Sequence, residues 1–301
     1  MRPLFYLCSL CLPILILSCQ STQKENKNPH IENEESKLTV NLRKMVMSEG
    51  EENGWEGIEY TEIWDPQKTA IIVTDMWDRH WCESATERVA AMAPGMNKTL
   101  TRARELGATI IHAPSGTMDF YTDTPQRKAA INTPLHNAPE GFPIDDWCNL
   151  DKEKEAALPI DDSDGGCDKP CADGDPCEEM TAWSMQIATI RIEDNDFITD
   201  QGQEVYNILV ENNIDQIVVM GVHLNMCVLG RPFAIRQMAN LNKNVVLMRD
   251  MTDTMYNPEM APYVSHFEGT RLVVAHVEKY WAPTMLSSDF TGEAAFAFNE
   301  E

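Results

Sequence analysis

The sequence predicts an α/β fold: a doubly wound three-layer sandwich, with a mainly parallel sheet of about six strands flanked by helices. Two observations carry this. From residue 69 onward, short apolar runs alternate with segments whose apolar residues recur at helical spacing, the pattern of a chain that winds between strand and helix. The apolar runs are also continuous rather than alternating, which suits parallel strands buried on both faces.

Taken in order, residues 69–75 (TAIIVTD) read as the first strand and 108–112 (ATIIH) as the second. Between them Val89, Met92, Met96, Leu100, Ala103 and Leu106 mark one face of a helix. Pro94 and Gly95 are expected to kink or split that helix, and Gly107 to stop it. Residues 187–192 read as the third strand, 204–210 as part of a helix, 216–221 as the fourth strand and 227–238 as a helix. Residues 244–248 follow as the fifth strand and 271–276 as the sixth, and the tail after Tyr280 carries no clear signal. The stretch 114–186 breaks this rhythm, being rich in Pro, Asp and Gly and holding four cysteines. Loops of this length inside a compact domain act as lids or binding elements.

The N-terminal residues stand outside the pattern. A basic start and the apolar run LFYLCSLCLPILILS have the length of a signal peptide and are too short for an ordinary spanning helix. The run ends in Ile16, Leu17, Ser18 and Cys19, which resembles a bacterial lipobox and implies cleavage before Cys19 and acylation of its thiol. The alternative is an ordinary secretory signal in which Cys19 is incidental. Both readings export the protein, and the first anchors it by lipid to a membrane of the bacterial cell envelope. The polar residues that follow have the composition of a flexible tether. The expected organisation is a signal peptide at 1–18, an acidic tether at 19–54 and one domain at 55–301 with the insert at 114–186.

Asp and Glu number 48 against 24 Lys and Arg, a formal charge of −24, which argues against a nucleic-acid-binding surface. An apolar content of 43% excludes wholesale disorder. After export, Cys82, Cys148, Cys167, Cys171, Cys177 and Cys227 would meet an oxidising compartment in which clustered cysteines bridge, with connectivity open. Cys167, Cys171 and Cys177 lack the paired short spacing of structural zinc sites. Asp161, Asp162, Asp164 and Asp168 lack the order of an EF-hand, so no metal or cofactor is expected.

In such a sheet, ligands bind beyond the carboxyl ends of the strands. Asp75, His112 and the segment GVHLNMC, which ends at Cys227, fall there. A cysteine opening a helix has its thiolate favoured by the helix dipole and by free amides, which also stabilise an oxyanion. Asp75 would be the base that takes the thiol proton or the orienter of that base; a buried structural cysteine is the competing reading. Trp77, His80, Trp81, Phe120, Tyr121 and Arg127 supply aromatic and polar groups for a small-molecule pocket, while packing at a helix start is the alternative for Trp77 and Trp81. Arg231 and Arg236 read either as salt-bridge partners of acidic loops or as substrate contacts.

Three segments together, TAIIVTDMWD, IDQIVVMGVHLNMCVLGRPFAIRQM and NVVLMRDMTDTM, resemble the isochorismatase-like cysteine hydrolases, the superfamily of nicotinamidases and N-carbamoyl amidases. The resemblance spans roughly residues 65–280. It implies a parallel sheet flanked by helices, a catalytic Asp after the first strand, a Lys after the third and a Cys opening a helix. The Asp maps onto Asp75 and the Cys onto Cys227, with a cis peptide at Val222–His223, the Cys227 amide in the oxyanion hole, and a homo-oligomer. The Lys is absent. The nearest cation is Arg191, which orients a substrate but does not shuttle a proton. His223 or His80 would substitute, each with an alternative reading as a hydrogen-bonded core histidine. The metal-binding spacing of nicotinamidases is missing after His112, so no metal is carried over, and the isochorismate-specific members lack the Cys.

The function expected is hydrolysis of a small amide, carbamoyl or related C–N substrate through a Cys227 intermediate with Asp75 as base. Arg191 and His223 are further catalytic candidates, and Trp77, His80, His112, Tyr121 and Val222 are the candidate substrate-binding residues. The rivals are a hydrolase in which Asp75 and a histidine activate water, and a non-catalytic ligand-binding lipoprotein. A disulfide between Cys227 and Cys82 would remove the nucleophile.

Overall fold

A computed structural model of the chain describes residues 37–48, 54–144, 146–172 and 182–299. The lipobox-like segment with Cys19, the first part of the tether and Cys177 lie outside the described residues. The strands are β1 (Leu38–Met47), β2 (Trp55–Trp64), β3 (Thr69–Thr74), β4 (Thr109–Ala113), β5 (Phe197–Ile198), β6 (Gln216–Val222), β7 (Asn244–Asp253) and β8 (Thr284–Met285). They form one sheet in the order β2-β1-β8-β7-β6-β3-β4-β5. Every pairing from β8 to β5 is parallel, and β1 is antiparallel to both its neighbours.

The continuous apolar runs are buried on both faces, as their composition requires. In β3, Ala70 and Ile72 belong to one apolar cluster while Ile71 and Val73 belong to the other. Helix α1 (Glu83–Glu105) packs Val89, Met92, Met96 and Leu100 into the second cluster. The first cluster receives Val205 and Leu209 of a helix at Gly202–Glu211, Ile235 and Met238 of one at Ile235–Asn240, and Val273 and Val277 of one at His266–Tyr280. Each such aliphatic side chain contributes about 1.5–3 kcal/mol through burial. The fold class is therefore the one expected, a mainly parallel sheet between helical layers.

Five local expectations are corrected. The domain starts before residue 55, because residues 38–47 pair along their length with β2; Leu38, Val40 and Leu42 are buried while Thr39 and Asn41 are exposed, the two-residue period of a strand covered on one face. The third parallel strand is β5, not 187–192. Those residues are turns and irregular chain beside α1, where the Arg191 amide donates to Asn97 Oδ1 at 2.9 Å. Residues 271–276 are helical, because Ser265 caps the helix by accepting from the Glu268 amide, a Ser-x-x-Glu start that outweighs a short apolar run. Of the kink or split expected at Pro94, the split does not occur, since α1 runs through Pro94 unbroken. The expected helix at 227–238 does split, into Cys227–Gly230 and Ile235–Asn240.

The insert adds two short helices, α2 (Met118–Tyr121) and α3 (Pro125–Asn132), and is then largely irregular. Among the contacts that tie its described residues to the rest of the fold are a disulfide and a buried carboxylate cluster. A disulfide joins Cys167 to Cys82 at the start of α1. Glu155, whose side chain is fully buried, accepts from Arg236 Nη2 at 3.0 Å, His276 Nε2 at 2.8 Å and Trp281 Nε1 at 2.8 Å. Numbered in chain order, the remaining helices are α4 (Gly202–Glu211), α5 (Cys227–Gly230), α6 (Ile235–Asn240), α7 (His266–Tyr280) and α8 (Ser288–Thr291).

Candidate active site

The carboxyl ends of β3 and β6 bring Asp75 and Cys227 together. Asp75 follows β3 directly, is fully buried and has a φ of 47°, the left-handed region that Asp and Asn tolerate better than other side chains. That backbone turn leaves one carboxylate oxygen, Oδ1, accepting from the Ser115 amide at 2.7 Å and the other, Oδ2, 3.1 Å from Arg231 Nε. Cys227 opens α5 and is buried. Its thiol feels the charges of both Asp75 and Arg231. The peptide before the loop, Val222–His223, is cis, where the resemblance puts it.

The electrostatics differ from the expectation. Burial, and after it the charge of Asp75, push the Cys227 thiol well above its ordinary range, and Arg231 only partly offsets this. A helix of one turn has little dipole to oppose the burial of a thiolate. The resting group is a thiol, which makes a neighbouring base necessary.

Arg231 enters the site because of Pro232. A residue before proline is disfavoured from helical geometry, and Arg231 is extended, with ψ of 152°. The helix stops there, and the guanidinium meets Asp75 instead of running along a helix surface. On its other side it lies over the Trp147 ring, 5.5 Å from the centroid, a cation–π distance. Trp147 belongs to the insert and packs so closely that a Cβ on Gly230 would come within 2.6 Å of its ring.

The remaining predicted residues fall into two groups. Trp77 is buried, donates from Nε1 to the Ser115 carbonyl at 3.0 Å, and stacks on Trp183 at 4.2 Å between centroids. His80 stands beside Trp183 at 5.8 Å and edge-on to His223 at 4.9 Å. Burial, followed by the charge of Arg88, lowers the His80 pKa to about 4. His223 is pushed well below the ordinary imidazole value, first by burial and then by His80, and its buried Nε2 has no hydrogen-bond partner among the described residues. Val222 is buried at the end of β6, opposite Asp253.

Three candidates are engaged elsewhere. Both ring nitrogens of His112 are taken, Nδ1 by Gln186 Oε1 and Nε2 by Asp196 Oδ2, each at 3.0 Å. The Tyr121 hydroxyl accepts from the Gln186 amide at 2.9 Å. Arg191 is exposed, and its carbonyl accepts from Arg104 Nη2, so it is not the cation of this site. The third parallel strand, β5, is followed by Thr199, Asp200 and Gln201.

The sequence offered Arg231 only as a salt-bridge partner of acidic loops or a substrate contact, without placing it at Asp75, and it gave no reading of the tryptophans of the insert. The Arg-Pro dipeptide four residues after Cys227 was the available signal for Arg231; Trp147 and Trp183 had none, because the insert has no regular period. Cys82 is bridged to Cys167, so Cys227 is not paired with it, and Cys227 keeps its thiol. The Asp-rich run is used in protein contacts: Asp162 accepts from Asn225, Asp164 from Asn257, and Asp168 from Arg88 and Ser84. Among the described residues no cluster of three His, Cys, Asp or Glu side chains forms a ligand set for a metal.

No family model and no curated protein matches the chain. Among solved structures, it is similar to a cysteine hydrolase from Pseudomonas syringae pv. phaseolicola 1448A, at 17% identity and a TM-score of 0.45, over 76% of this chain and 93% of that one. It is similar to an isochorismatase family protein from Desulfovibrio vulgaris subsp. vulgaris str. Hildenborough at 14% identity and a TM-score of 0.39, over 70% and 89% of the two chains. A third, an isochorismatase family protein from Burkholderia thailandensis, has 11% identity and a TM-score of 0.40 over 75% and 97%. The likeness is one of fold.

Proposed function

We propose that the chain is an exported, lipid-anchored cysteine hydrolase acting on a small amide, carbamoyl or related C–N substrate. The observation that carries this reading is the juxtaposition at the ends of the paired strands β3 and β6: a buried Asp75 carboxylate held by the Ser115 amide directly after β3, and a buried Cys227 thiol opening the helix after β6. Export is supported by the Cys82–Cys167 disulfide, a bond that persists in oxidising compartments.

The chemistry follows from these groups. Asp75 takes the Cys227 proton and the sulfur attacks the substrate carbon, forming a C–S bond as the carbonyl electron pair moves to oxygen. The Cys227 amide, for which no acceptor appears among the described residues, is suited to donate to that oxyanion. Collapse breaks the C–N bond, and the leaving amine takes its proton from Asp75. Water then gives a proton to Asp75 and attacks the thioester; the C–S bond breaks and the thiolate recovers the proton. Trp77, His80 and His223, which lie close in the chain to Asp75 or Cys227, pack together with Trp183, and such rings suit a small planar substrate.

The test is a screen of small amides and N-carbamoyl compounds with the full-length protein, its Cys227→Ser and Asp75→Asn variants, and intact-mass detection of an acyl adduct on Cys227. Asn tolerates the left-handed backbone at position 75, so that variant probes chemistry rather than folding. Cys227→Ser is expected to lose about a thousandfold or more and Asp75→Asn about a hundredfold or more. Full turnover by Cys227→Ser would instead favour water activation by Asp75, and a chain that binds members of the screen without converting them would favour the non-catalytic reading.

A further inference from the structure

We infer that Arg231 is the cation of this active site, taking from the turn after the nucleophile helix the place that the superfamily fills with a lysine after its third strand. The inference rests on the hydrolase reading above and deepens it. Asp75 and Cys227 form a pair in which one proton moves between two buried groups. When the proton sits on Asp75, the sulfur carries a negative charge away from water, where an unpaired ion is costly. A fixed cation paired with Asp75 and acting on the sulfur lowers that cost in either state. Arg231 meets this requirement: its Nε lies 3.1 Å from Asp75 Oδ2, and its charge favours the Cys227 thiolate against burial.

Two independent features hold it there. Pro232 keeps Arg231 extended, and Trp147 covers its face at 5.5 Å. No other described Arg or Lys forms an ion pair with Asp75. Arginine has no accessible neutral form, so it stabilises charge without exchanging protons. Asp75 alone carries the proton from sulfur to the leaving group and back, and Arg231 stabilises the thiolate and orients Asp75.

The experiment is iodoacetamide labelling of Cys227 in the full-length chain, followed by peptide mass spectrometry from pH 6 to 10, in wild type, Arg231→Met, Arg231→Gln and Arg231→Lys, each checked by circular dichroism. Arg231→Met is expected to label at least tenfold more slowly at pH 8, with its profile displaced to higher pH; Arg231→Lys should stay within about fivefold of wild type because the cation is retained. If Arg231→Met does not fold, Arg231→Gln is judged by the same criterion. Labelling of the neutral variant at the wild-type rate with an unmoved profile would overturn the assignment while leaving the nucleophile intact. A wild-type Cys227 that never labels, in a folded chain, would sink the hydrolase reading itself, and the role of Arg231 with it.

Discussion

Side chains at the ends of β3 and β6 are placed by backbone conformations that few residues adopt. Gly221 has a φ of +118° and faces Thr74, so that an added Cβ would come within 2.0 Å of the Thr74 carbonyl oxygen. Only glycine permits both the positive φ and this approach. Gly221→Ala is expected to destabilise the protein by at least about 3 kcal/mol, from backbone strain and separation of the central strands, read as a lower urea midpoint. A change under about 0.5 kcal/mol would mean that the strand ends relax freely. Asp75, Gly221 and Cys227 were all legible as residues at strand ends, because a doubly wound sheet puts its ligand site there. What was not legible at this scale is protonation: the thiol is raised by burial and by Asp75, and both are three-dimensional facts.

Where elements begin and end decides which of these side chains meet. The break between α5 and α6 is written locally in Arg231 and Pro232, yet the apolar run through residue 238 suggested one helix. Pro232→Ala removes the restraint on Arg231 and is expected to slow Cys227 labelling a few-fold, to a rate between those of wild type and Arg231→Met, since the extended conformation is then merely one choice among several. An unchanged rate would show that Trp147 and Asp75 hold Arg231 unaided. The strand assigned to 187–192 failed for a different reason. Apolar residues there pack beside α1 and Asn97 without pairing in the sheet, while β5, only two residues long, has too few positions to show a period. The strand-like run at 271–276 was outweighed by the cap at Ser265, so a capping signal is worth weighing before a short run of valines.

At the scale of the whole molecule, buried histidines make stability depend on pH. The pKa values of His80, at about 4, and His223 are lowered chiefly by burial; that of His266 is raised, because the hydrogen bond and charge of Asp253 overcome burial. Unfolded histidine titrates near 6.5. Below that value the unfolded chain takes protons that His80 and His223 resist, so their contribution is lost as pH falls towards 4. The His266 contribution is complete below 6.5 and is lost as pH rises through its raised value. Stability is expected to peak near neutrality and to fall on the acid side by about 1.4 kcal/mol per pH unit for His80 alone. Urea unfolding at pH 5, 6, 7 and 8 measures this, and a flat profile would show that His80 stays hydrated in the folded state. The chain by itself determined the layered α/β architecture, the Asp75 and Cys227 positions and the long insert, because hydrophobic period and strand-end placement are local properties. Only the tertiary structure decided that β1 joins the sheet, that Cys82 bridges Cys167, that Trp147 and Trp183 return from the insert, and that Arg231 rather than Arg191 faces Asp75. Each of those pairs residues far apart in the chain, or selects between cations of equal charge by where the backbone turns, and neither spacing nor composition carries that information.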